Sequence, residues 1–132
     1  MSELGQLRRH ARERALELAY EASAKDRTFS EILAEQAVAP DAYTVTILKS
    51  AEHHRENIES IIERNSLDWP LDRLAIIDRL VMTLALGELM LDDPPPTPVV
   101  LDEAVELAKI YSTESSASFV NGVLSSCVQD LK

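Results

Sequence analysis

Four arginines crowd into residues 8–14, RRHARER, and they are the densest chemistry in the chain. Guanidinium groups grip phosphate through a fixed fork of N–H donors. At about 100° per helical residue, Arg8, Arg9 and Arg12 fall on one flank, with Leu16 and Tyr20 further along the same side. Arg14 falls on the opposite flank, placed for intramolecular pairing. Three guanidiniums with a phenol ring a turn or two below match the way single-stranded RNA is held: charge fixes the phosphates and a ring face receives a base. The competing reading is a solvated helix edge, with Arg9 and Arg12 paired to nearby glutamates. The setting sharpens the contrast. The run holds 4 of the 13 Lys and Arg residues and is +3 net, in a chain of formal net charge −10. An acidic average field repels nucleic acid and suits a basic protein partner, so any nucleic-acid role rests on a local patch.

Other reactive residues lead nowhere as strongly. No phosphate loop, dinucleotide fingerprint or H-E-x-x-H pair occurs, and the glycines are only Gly5, Gly87 and Gly122. His53 and His54 point about 100° apart on a helix, so they do not share one metal easily; they read as a solvated face with His54 part-buried. Asp102 and Glu106, four apart near a helix start, fit the macrodipole pattern. The lone Cys127 excludes an intrachain disulfide and reads as a packing thiol. No catalytic residue, metal site or cofactor is expected, and the chain reads as a non-enzyme.

The elements that must position the arginines are helical. The 132 residues suit one domain, 1–132, with 45% hydrophobic residues and only 5% aromatic. Leu4, Leu7, Ala11, Ala15, Leu18, Ala19 and Ala22 form one stripe of a first helix over 3–25. Thr28-x-x-Glu31 is a capping box before a short helix, SEILAEQAV. After Pro40-Asp41, one long helix runs to about Asn65, with Ile47, Ala51, His54, Ile58 and Ile61 at helical spacing. Asp68 is placed to cap, and Pro70 to open, a helix over 71–91 that is apolar nearly all round and therefore central. Asp78, Arg79 and Glu88 interrupt it, so it is no membrane span. DDPPPTP is an extended loop; Thr97 and Pro98 start the next helix as N-cap and N1. YSTESS separates it from a last helix over 116–131. Within that helix the spacing favours helix over hairpin at Asn121-Gly122, and Gly122 is expected to let another helix approach closely. No signal peptide or membrane segment is evident, which points to the cytoplasm.

Three segments carry a resemblance. RRHARERALELAY (8–20) is similar to the N-terminal helix of the transcription antitermination factor NusB family. IIDRLVMTLALGEL (76–89) is similar to its central helix, and VVLDEAVELAKIYSTESSASFVNGVL (99–124) to its C-terminal signature. The resemblance covers almost the whole chain. It implies an all-α, NusB-like fold of two small helical bundles packed into one compact domain. It implies an adaptor that binds boxA-like single-stranded ribosomal-RNA leader together with the small-subunit ribosomal protein NusE and acts on RNA polymerase elongation complexes. Carried over by position, the RNA-binding residues are Arg8, Arg9, Arg12 and Tyr20, with Asp78 in the central helix and Ser115 in the loop before F-V-N-G. This chain departs from many members at His10, Thr83, Gly87 and Ser115, where a permanent charge, Arg, an aromatic and an acid are common.

Two other functions fit the same residues. A detached NusB-like module of a ribosomal-RNA cytosine methyltransferase would be inert alone. A protein–protein module with weakened RNA binding would explain the acidity and the departures. The chain is either a monomer or a homodimer; a homodimer that buries the arginine edge would be an autoinhibited form.

Overall fold

The computed structural model describes residues 2–66 and 69–131. Helix α1 spans Glu3–Lys25, as the spacing predicts. The Ser2 side chain accepts a bond from Gly5 N–H at 3.0 Å, and the helix stops at Asp26, whose φ of 55° lies in the left-handed region that Asp tolerates. Its buried face is Ala11, Ala15, Leu16, Leu18, Ala19 and Ala22. Leu4 and Leu7 were expected on that stripe but are 56% and 59% exposed. The first buried residue is Ala11, so the opening turns extend past the packed core.

Helix α2 is Phe29–Ala34, and both halves of the Thr28/Glu31 capping box are made. It is shorter than the expected segment, which leaves Val38 exposed. The expected long helix is two helices, α3 (Ala42–His53) and α4 (Arg55–Asn65), divided at His54 with φ −100° and ψ 16°. The apolar period survives the break: Ile47, Ala51, Ile58 and Ile61 are all buried. What changes is the neighbours, since α3 packs on α1 and α5 while α4 packs on α5 and α7.

The expected cap Asp68 lies outside the described residues. Pro70 opens only a 3₁₀ turn, Leu71–Arg73; Leu74 and Ala75 are extended, and α5 begins at Ile76 and ends at Leu89. Ten of its residues are buried, and it touches α1, α3, α4, α6 and α7, which makes it the central helix. Helix α6 is Thr97–Tyr111, capped one residue earlier than expected, at Pro96. Helix α7 is Glu114–Gln129, with the Thr113 hydroxyl accepting from Ser116 N–H at 3.0 Å.

Helices α1–α3 form one small bundle and α4, α6 and α7 a second, with α5 shared between them. One apolar cluster runs through both. The described residues are all-helical, and no helix is long and apolar enough to cross a membrane. The close approach expected at Gly122 occurs instead at Gly87. A Cβ on Gly122 would meet nothing within 4 Å, whereas one on Gly87 would lie 2.8 Å from Ala51 Cβ and 2.9 Å from its Cα and N.

Candidate nucleic-acid interface

The α1 flank is built around a buried ion pair. Arg12 donates from Nε and Nη2 to the two oxygens of Glu88 at 2.8 and 2.6 Å. The two side chains are 7% and 2% exposed. Tyr43 on α3 donates its hydroxyl to Glu88 Oε2 at 2.5 Å, so one carboxylate holds α1, α3 and α5 together. Glu103 on α6 sits 3.9 Å from Arg12 Nη1 and accepts from Arg9 Nε at 3.1 Å and Nη2 at 3.3 Å. Arg8 stacks over the Tyr43 ring, 5.0 Å from its centroid.

The electrostatics follow this wiring. Burial works against the Arg12 charge, but the bonds and field of Glu88, with Tyr43 and Glu103 beside it, raise its pKa above the ordinary value. Burial and the bond to Glu88 push the Tyr43 phenol upward, outweighing Arg12 and Arg8. Tyr43 is therefore a neutral donor at any ordinary pH.

The three predicted arginines thus divide. Arg8 and Arg9 are half-buried, with the Arg9 side chain 43% exposed. Arg12 does not lie on an open edge, because it is the internal counterion of Glu88. Arg14 pairs with Glu17 and Gln36 on the other side, as its helical phase predicts.

Helices α1 and α5 run antiparallel: Arg12 meets Glu88 near the end of α5, and Tyr20 meets Ile77 near its start. Tyr20 is 47% exposed and lines an apolar recess of ≈ 220 Å³ with Leu16, Ile77 and Tyr111. It lies eight residues beyond Arg12, about 12 Å along the axis. Asp78 follows Ile77 and faces a second recess of ≈ 320 Å³, shared with Ser115. Asp78 is 5% exposed and accepts from Ser116 Oγ at 3.0 Å. The structure therefore places Tyr20, Asp78 and Ser115 around neighbouring recesses at one end of α5, with Arg8 and Arg9 toward the other.

Glu88, Glu103 and Tyr43 were not singled out by the sequence reading. Glu88 carried a signal, since it is the one charged residue in the apolar run 80–89 and needs a cation. Glu103 and Tyr43 carried none. The departures also acquire a geometry. Thr83 is buried and its hydroxyl bonds back to Arg79 O at 2.8 Å, so no charge projects there. Gly87 lets α3 come close, and Ser50 Oγ donates to its carbonyl at 2.6 Å. Among the described residues, no group of three or more His, Cys, Asp or Glu side chains gathers to hold a metal.

Comparison with known proteins agrees in sequence and in fold. The profile described as "NusB family" matches residues 9–129. "Transcription antitermination protein NusB" of Bifidobacterium animalis subsp. lactis (strain AD011) is 36% identical over 124 residues, covering 89% of this chain and 80% of that protein. The structure "T. maritima NusB, P3121, Form 2" superposes with a TM-score of 0.82 at 30% identity, over 93% of this chain and 91% of that one. The structure "Crystal Structure of Antitermination Factors NusB and NusE in complex with dsRNA" superposes with a TM-score of 0.79 at 28% identity, over 95% and 98%. The chain belongs to the NusB family.

Proposed function

We propose that this protein is a non-enzymatic antitermination adaptor. It binds boxA-like single-stranded ribosomal-RNA leader jointly with the ribosomal protein NusE, and the pair acts on RNA polymerase elongation complexes in the cytoplasm. The observation that carries this reading is the likeness, over nearly the full length of both chains, to a NusB solved with NusE and RNA. The half-exposed Arg8 and Arg9 and the exposed Tyr20 support it as an RNA-facing edge, with Asp78 and Ser115 further along. Arg12 contributes by holding α1 in place, and the surrounding acidity suits a basic ribosomal protein.

The test is a titration of boxA-like RNA with and without NusE, at several salt concentrations. Tight binding that needs both proteins is expected. Replacing Arg8 and Arg9 together by Ala should flatten the salt slope by about 1.4, at about 0.7 per single-strand phosphate contact. An unchanged slope and affinity would remove these two residues from the RNA site.

One observation favours the alternative of a protein–protein module with weakened RNA binding: Arg12 is consumed by Glu88 and Arg9 is already engaged by Glu103. NusE binding with no RNA binding in the same titration would decide for it.

A further inference from the structure

Arg9 donates to Glu103 from Nε and Nη2, at 3.1 and 3.3 Å. Paired donors of this kind are what a guanidinium offers a phosphate, and here a carboxylate of the same chain already holds them. Glu103 is 8% exposed and sits on α6, so a helix that carries none of the arginines decides how free Arg9 is. The same carboxylate has a second cation within reach. Arg12 commits Nε and Nη2 to Glu88 and presents Nη1 to Glu103 Oε1 at 3.9 Å, too far for a hydrogen bond. A move of about 1 Å makes that bond. Breaking a buried ion pair is costly mainly because it leaves a charge without a partner. Glu103 escapes that cost on leaving Arg9, because Arg12 stands beside it.

Building on the RNA-binding reading above, we propose that Glu103 sets the RNA affinity of the arginine flank: it occupies Arg9 in the free chain and passes to Arg12 when an RNA phosphate takes Arg9. Glu103 touches no RNA, so it is a positioning residue that acts through Arg9. A phosphate arriving at Arg9 meets a like charge a few ångströms away until the carboxylate withdraws. The two arginines have unequal tasks. Arg9 exchanges one partner for another, while Arg12 keeps Glu88 throughout and receives Glu103. The arrival of RNA is thereby felt at a buried guanidinium that no phosphate reaches.

The full chain with NusE is titrated with boxA-like RNA at several salt concentrations. Glu103→Gln should raise affinity about fivefold, the upper range for a half-exposed ion pair. The salt slope should stay as it is, because the same phosphates are contacted. Asp102→Asn removes the same charge from the neighbouring exposed position and should change affinity by less than about twofold. In an Arg9→Ala background, Glu103→Gln should give no gain, which ties the effect to this one contact. The wild-type chain labelled with ¹⁵N gives a second readout that needs no variant: RNA should shift the Arg12 Nε–H resonance together with that of Arg9. A gain that persists without Arg9, an affinity that falls or stays unchanged in a folded Glu103→Gln variant, or an Arg12 resonance indifferent to RNA overturns the exchange and leaves the RNA reading standing. Failure of the wild-type chain with NusE to bind the RNA overturns both.

Discussion

Replacing Arg12 by Ala separates an internal anchor from an RNA contact. The substitution leaves Glu88, 2% exposed, with the Tyr43 hydroxyl but no cation. Breaking one side of a buried ion pair costs about 3–5 kcal/mol. That is a large share of the ~5–15 kcal/mol that holds a typical domain together. With a urea m-value of about 2 kcal/mol/M, the unfolding midpoint should fall by about 2 M. Arg12→Lys restores the charge without the two-pronged fork and should recover only part of the loss. Replacing Arg12 and Glu88 together by Leu removes the charge and its counterion at once. It should therefore be much milder than Arg12→Ala, with Tyr43 losing one bond. Urea titrations followed by far-ultraviolet circular dichroism give all three numbers. An Arg12→Ala protein with a midpoint within about 0.3 M of wild type, but with weakened RNA binding, would refute the anchor and return Arg12 to the open edge.

Four further outcomes follow from the same structure. Gly87→Ala gains about 1 kcal/mol of helix propensity but drives its Cβ into the Ala51 backbone, so thermal melting should show net destabilisation of about 1–2 kcal/mol. The Thr28 backbone and hydroxyl bonds hold the Glu31 carboxyl below its ordinary pKa. A depressed folded-state pKa gives stability that is present above the unfolded value and lost as pH falls through the folded one. Glu31→Gln should therefore flatten the acid limb of the stability curve, and a limb of unchanged steepness would count against the box. Burial lifts the Cys127 thiol to about 11. Native protein at pH 8 should then resist iodoacetamide while denatured protein reacts, as read by mass spectrometry. A homodimer closing over the arginine edge would cover Leu4 and Leu7; Leu4→Ser with Leu7→Ser should leave a monomer by light scattering, and a dimer that survives both this change and added RNA rules that form out.

Helical phase located α1 to the residue and sent Arg14 away from the other arginines, because both depend only on spacing within one segment. Phase could not say what stood opposite the flank. The partners of Arg12 and Arg9 lie 76 and 94 residues away, and a surface edge and a buried one look alike in sequence. The break at His54 was hidden for the same reason: no Gly or Pro marks it, and the apolar period continues across it. The two glycines show the limit most plainly. Both sit in helices, and only tertiary packing reveals that α3 presses on Gly87 while Gly122 faces open space. Asp78 and Ser115 were paired by resemblance alone; their common recess depends on how α5 meets α7.

The wiring of the arginine flank also has a kinetic meaning. Three guanidinium charges there meet two carboxylates, leaving one net positive charge on a protein whose formal net charge is −10. Such a flank projects little field beyond a Debye length of about 10 Å. RNA approaching the free chain is not drawn in, and association should proceed at an unsteered ~10⁵–10⁶ M⁻¹s⁻¹. A basic partner bound to the acidic surface would reverse the field before RNA arrives. The order of assembly would then be set by diffusion: the protein partner docks first, and the transcript is captured by the pair.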